Sequence, residues 1–113
     1  MEHEIHNEAG IVILDLRGEI DVSTAPGLRG ILMGLIEDNA GPVLVNLSNV
    51  LYMDSAGLSV FIAAHRKAQN AGGVLGLVNP QQPIQQVLKL TRVDKVFQIF
   101  PSIEEGIGAV SET

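Results

Sequence analysis

Val43-Leu44-Val45-Asn46-Leu47-Ser48-Asn49-Val50-Leu51-Tyr52-Met53-Asp54-Ser55-Ala56-Gly57-Leu58 is the stretch on which the fold turns. Val43 to Leu47 is a short continuous β-run, of the kind used by a strand buried on both faces. Ser48 to Met53 carries the chain to Asp54-Ser55-Ala56-Gly57, where hydroxyl and carboxylate side chains signal a helix start. An amphipathic helix then runs to about Asn70, with Leu58, Phe61, Ile62 and His65 on or beside its inner stripe. Gly72-Gly73 supplies its C-terminal cap, and Val74 to Val78 follows as another strand, closed by Asn79-Pro80. A strand, a helix and a strand joined by short links predict parallel pairing through a right-handed crossover.

The flanking sequence extends this pattern in both directions. Upstream, His3 to Glu8 is polar, with Ile5 its only large apolar residue, which suits an edge strand. Ala9-Gly10 makes a turn. Ile11 to Arg17 places Val12, Leu14 and Leu16 on one face and Ile11 and Ile13 on the other, as an interior strand does, and Gly18 is expected to end it. Ser23-Thr24-Ala25-Pro26 signals a helix whose buried stripe is Leu28, Ile31, Leu32, Leu35 and Ile36. Gly27, Gly30 and Gly34 weaken that helix by roughly 1 kcal/mol each, so it must be held by docking. Asn39-Ala40-Gly41-Pro42 stops it.

Downstream, Pro83 to Leu90 reads as a helix with Ile84, Val87 and Leu88 inward, and Val96 to Phe100 as a last strand. Ser102-Ile103-Glu104-Glu105 has capping-box spacing and opens a short final helix. The order β β α β α β α β α predicts a single small α/β domain over residues 1–113. Its sheet is mixed and mostly parallel, with about five strands and about four helices. Residues 110–113 are expected to fray.

Composition narrows the function. The 113 residues are 46% hydrophobic, too apolar for a disordered chain and too few for two cores. The absence of cysteine excludes disulfides, thiolate metal sites and a Cys nucleophile. A net charge of -6 argues against nucleic acid or an anionic membrane as the main partner. No apolar run is long enough for a membrane span, and Met1-Glu2-His3-Glu4 lacks the order of a secretory signal. A cytoplasmic protein is expected, with no cofactor.

The residues capable of chemistry are few. His3 and His6 are three apart on a presumed strand and point to opposite faces, so they do not share a metal. His65 reads as a core or boundary residue, leaving no metal site to defend. Gly72, Gly73 and Gly76 follow a helix, the reverse of a phosphate-binding loop. Ser55 is the residue best placed to matter. Its ordinary reading is a helix cap. As a hydrolase nucleophile it lacks the preceding glycine, since Met53 stands there. His65 lies ten residues along the same helix, about 15 Å away at 1.5 Å per residue, too far to act as its base. The other reading makes Ser55 a phosphate acceptor. Added charge at a helix N-terminus is tolerated by the dipole, although the neighbouring Asp54 repels it, and it can still spoil a binding surface.

The run from Leu44 to Leu58 resembles the signature of STAS domains, the anti-sigma factor antagonists of bacteria. Gly18-Glu19-Ile20-Asp21 with Ser23-Thr24-Ala25-Pro26 resembles the family's second landmark, and Leu90-Thr91-Arg92-Val93-Asp94-Lys95-Val96-Phe97 its third. The resemblance implies a switch protein without catalytic activity. Its unphosphorylated form would bind an anti-sigma factor that is also an ATP-dependent serine kinase, releasing a sigma factor. The kinase would phosphorylate Ser55, and a metal-dependent serine phosphatase would reverse the mark. Asp21 matches a position contributing to kinase recognition, and Asp54, Gly57 and Leu58 match signature positions. With Ser23, Thr24 and Ala56 they form the implied partner-binding set. Ala56 stands where many members carry a second hydroxyl, and Asn46 replaces the commoner Asp, which is expected to alter how the preceding segment is tied down.

A second reading keeps the fold but makes the protein a subunit of a membrane transport or signalling complex, with Ser55 a structural cap. The polar strand at His3 to Glu8 gives no sign of an obligate dimer, so a monomer is expected.

Overall fold

Alternation of apolar residues on both faces of one segment decides where it lies in the sheet. In a computed structural model describing residues 1–38 and 41–111, that segment is β2 (Ile11–Ile20), flanked by β1 (Glu2–Glu8) and β3 (Val43–Met53). With β4 (Leu75–Val78) and β5 (Gln98–Phe100) they form a five-stranded sheet in the order β1-β2-β3-β4-β5. Only the β1–β2 pair is antiparallel. Every residue of β1 is exposed, as its polar edge character predicts.

Helices α1 (Ala25–Asp38), α2 (Ser55–Asn70) and α3 (Gln82–Leu90) cover one face. There Leu28, Leu32 and Ile36 of α1 and Phe61 and Ala64 of α2 meet Val12, Leu14, Leu16, Val45 and Leu47. Helix α4 (Ile103–Val110) covers the other, where Val110 packs with Ile11, Ile13, Leu44 and Val78. The two faces of β2 thus divide between two cores as the alternation predicts. Ser102 caps α4 by accepting from the Glu105 N–H at 3.2 Å, and the Gly73 N–H closes α2 on the Ala68 carbonyl at 2.8 Å.

Several boundaries differ from expectation. Gly18 does not end β2. It adopts φ +108°, open to glycine, and the strand passes through it to Ile20 with a register shift. β3 does not stop at Leu47 but continues to Met53, because β2 runs alongside and pairs with it, through two register shifts, as far as Ile20 opposite Met53. β5 begins at Gln98 rather than Val96. A 3-10 turn over Val93–Lys95 holds the Val96 and Phe97 N–H groups on the Val93 carbonyl. Val110, expected in a frayed tail, is a buried helical residue because α4 needs it to close the second core. Residues 112 and 113 lie outside the described residues, as do Asn39 and Ala40 of the expected α1 stop.

The glycines of α1 are not there for packing, since a Cβ at Gly34 would meet nothing within 4 Å. Gly34→Ala is therefore expected to stabilise the protein by roughly 0.5–1 kcal/mol, through lower unfolded-chain entropy and better helix propensity. Urea unfolding should show a raised midpoint; an unchanged or lowered one would mean the position is constrained by something other than the helix.

Candidate functional site

β2 and β3 end side by side, with Ile20 opposite Met53, and the two chain exits are tied by the Asp54 N–H donating to the Ile20 carbonyl at 3.2 Å. This brings the segment after β2 and the start of α2 to one end of the sheet.

Asp54 is the cap of α2. Its backbone is extended and its carboxylate accepts from the Ala56 N–H at 2.9 Å and the Gly57 N–H at 3.3 Å. Ser55 is therefore the first helical residue and not the cap. Its carbonyl accepts from the Ser59 hydroxyl at 2.9 Å, while its own hydroxyl is exposed and makes no hydrogen bond among the described residues. The reading of Ser55 as a structural cap is corrected here: the carboxylate one residue earlier already satisfies the N–H groups that a cap would serve.

The turn after β2 organises itself around Asp21. One carboxylate oxygen accepts from the Ser23 N–H (2.9 Å), the Ser23 hydroxyl (2.7 Å) and the Thr24 N–H (3.1 Å). In return the Thr24 hydroxyl accepts from the Asp21 N–H at 2.9 Å and donates to the Glu19 carbonyl at 3.0 Å. The Ser23 hydroxyl first, then the backbone N–H groups of Ser23 and Thr24, hold the Asp21 carboxyl below its ordinary range. The aspartate is thus the keystone of its turn.

The implied partner-binding set divides in two. Ser23 is exposed, as is the acceptor Ser55, and Asp21, Thr24 and Asp54 are partly exposed. Gly57 and Leu58 are buried, and Ala56 is packed partly against the core. Gly57 and Leu58 thus seat the helix that presents Ser55, while Ala56 is partly exposed beside it.

Asn46 now has a physical reason. Its amide donates to the Asp15 carboxylate at 2.7 Å and its oxygen accepts from the Ser48 hydroxyl at 2.6 Å. Asp15 also meets His6 at 2.7 Å. An ionised aspartate at position 46 would face Asp15 with no proton to donate. His65 sets its ring edge-on to Phe97 at 5.4 Å, as a boundary residue does. Among the described residues no group of His, Asp and Glu is placed to hold a metal ion, and no helix is long and apolar enough to cross a membrane.

Residues 2–106 match the STAS domain. The chain belongs to the STAS domain family. It is 35% identical to the anti-sigma-B factor antagonist of Bacillus subtilis, over 89% of this chain and 91% of that protein. An anti-sigma factor antagonist from Mycobacterium paratuberculosis superposes with a TM-score of 0.87 at 27% identity, covering 97% of this chain and 93% of that one. A Thermotoga maritima protein of the same fold gives a TM-score of 0.90 at 24% identity, over 96% and 94% of the two chains. The five-strand, four-helix architecture expected from the periodicity is the STAS fold.

Sequence reasoning passed over three neighbours of this site. Val22, Leu51 and Tyr52 are large apolar residues left 76%, 70% and 50% exposed. The available signal was the spacing of Val50 and Met53, three apart, which a strand of period two cannot bury without an irregularity.

Proposed function

We propose that this STAS domain is a phosphorylation-controlled anti-sigma factor antagonist. Unphosphorylated, it binds an anti-sigma factor serine kinase and releases a sigma factor; phosphorylation of Ser55 switches that binding off, and a metal-dependent serine phosphatase restores it. It acts in the cytoplasm as a monomer, without catalysis or cofactor of its own.

One observation carries the reading: a serine hydroxyl exposed and unbonded at the first position of a 16-residue helix whose cap is supplied by a different residue. A capping serine would have its oxygen engaged. This one is free to enter a kinase active site, and the helix N-terminus accommodates the product's charge. The names of the relatives support the partner class. Asp21 supports it by holding the adjacent turn in one conformation, which lowers the ordering cost when a partner docks.

The test is mass spectrometry of the intact protein after incubation with the cognate kinase and ATP. One added phosphate is expected, mapping to Ser55 and abolished in Ser55→Ala. A phosphate on another residue, or none at all, would sink the proposal.

A further inference from the structure

The exposure of Leu51 and Tyr52 has a structural cause. Gly18 pairs with Val50 and the next residue, Glu19, pairs with Tyr52, so β3 holds one more residue than β2 at this point. Such a bulge re-aims side chains, and bulges concentrate beside functional sites. Val50 and Met53 are both buried, with two residues between them instead of one, and both of those face solvent. A regular strand would have hidden one of the pair. Val22, exposed as well, lies in the turn that Asp21 clasps, two residues beyond Ile20, whose carbonyl accepts the Asp54 N–H at the end of β3.

We infer that Val22, Leu51 and Tyr52 form the apolar anchor by which the partner is gripped, with Ser55 at its border. The inference rests on the reading of the protein as a kinase-binding switch. Tyr52 follows the pattern of interface hot spots, where a large side chain with few rotatable bonds fills a partner pocket. The surrounding charge gives the partner's chemistry. Glu19, Asp21 and Asp54 flank the anchor, and no Lys or Arg occurs from residue 18 to 28 or from 43 to 65. The complementary surface is apolar with a cationic border, which a kinase has where side chains and metal hold ATP. Ser55 must reach the γ-phosphate, so its phosphorylated form leaves two phosphate groups facing each other across the border. Like-charge repulsion and the desolvation of a dianion beside apolar side chains then oppose the anchor.

Calorimetry with the purified cognate anti-sigma kinase and ADP tests this. Leu51→Ser and Tyr52→Ser are each expected to weaken binding at least tenfold, and the double variant about thirtyfold or more. Ile5→Ser and Leu90→Ser, at 49% and 85% exposed positions elsewhere, should bind as the wild type does. All four positions are exposed, so thermal unfolding should be little changed, confirming that binding alone was altered. Wild-type binding with an undiminished double variant overturns the anchor and leaves the switch standing. Failure of the wild type to bind the kinase at all would overturn the functional reading and the anchor with it.

Discussion

Gly57→Ala is expected to destabilise the protein by about 2 kcal/mol, the middle of the range for forcing one methyl into a packed core. A Cβ at this position would stand 2.6 Å from Ile20 Cγ2 and 2.7 Å from Met53 Cγ. Neither neighbour can retreat to solvent, since Ile20 is fully buried and Met53 is 3% exposed. They are also the last residues of β2 and β3, the strands whose exits carry Asp21 and Asp54. The first turn of α2 must therefore lift from the sheet, loosening the Gly57 N–H from the Asp54 carboxylate and displacing Ser55. Urea unfolding should show a lower midpoint with an unchanged slope, and phosphate transfer to Ser55 should slow in the same variant. Wild-type stability in Gly57→Ala would disprove the close approach, and loss of stability with undiminished transfer would separate the glycine from the site.

This glycine illustrates what was legible beforehand and what was not. Its membership of a motif could be read from the run of residues, but its reason could not, because Ile20 reaches it from 37 positions away in the chain. Local patterns read well for the same reason in reverse. The two faces of β2, the stripe of α1 and the Ser102 cap depend on residues within a few positions of one another, and they stand as expected except that Ile31 and Leu35 of the stripe are only partly buried. The ends of β2 and β3 did not read well. Gly18 is a turn signal in isolation, yet pairing with Val50 of β3 carries β2 through it, between two register shifts. Ser48, Asn49 and Tyr52 looked like loop, while pairing across to Arg17 and Glu19 extends the strand. At the site, the two adjacent capping types Asp54 and Ser55 were indistinguishable in one dimension. Only the backbone shows which takes the cap and which is left free.

Ser55→Asp is expected to weaken binding to the anti-sigma kinase at least tenfold, about 1.4 kcal/mol, while leaving the fold as stable as the wild type or slightly more so. The two effects have opposite origins. At the first position of α2, a carboxylate lies near the positive end of the helix dipole, worth roughly 0.3–1 kcal/mol on an exposed surface. Asp54 sets a limit to that gain, since its own carboxylate already accepts from Ala56 and Gly57 and repels a second charge. In the proposed complex with the kinase the same charge would have no favourable outlet. There it would be stripped of water at the edge of an apolar patch and set against the nucleotide's phosphates. Ser55→Ala adds no charge and loses no hydrogen bond, because the hydroxyl makes none within the protein. It should therefore bind like the wild type and resist phosphorylation. Paired calorimetry and thermal unfolding on both variants check the argument, and added salt should narrow their difference in affinity. Equal affinities would refute the electrostatic switch. A marked loss of stability in Ser55→Asp would instead assign its weak binding to damage of the helix, which the free hydroxyl and the intact Asp54 cap argue against.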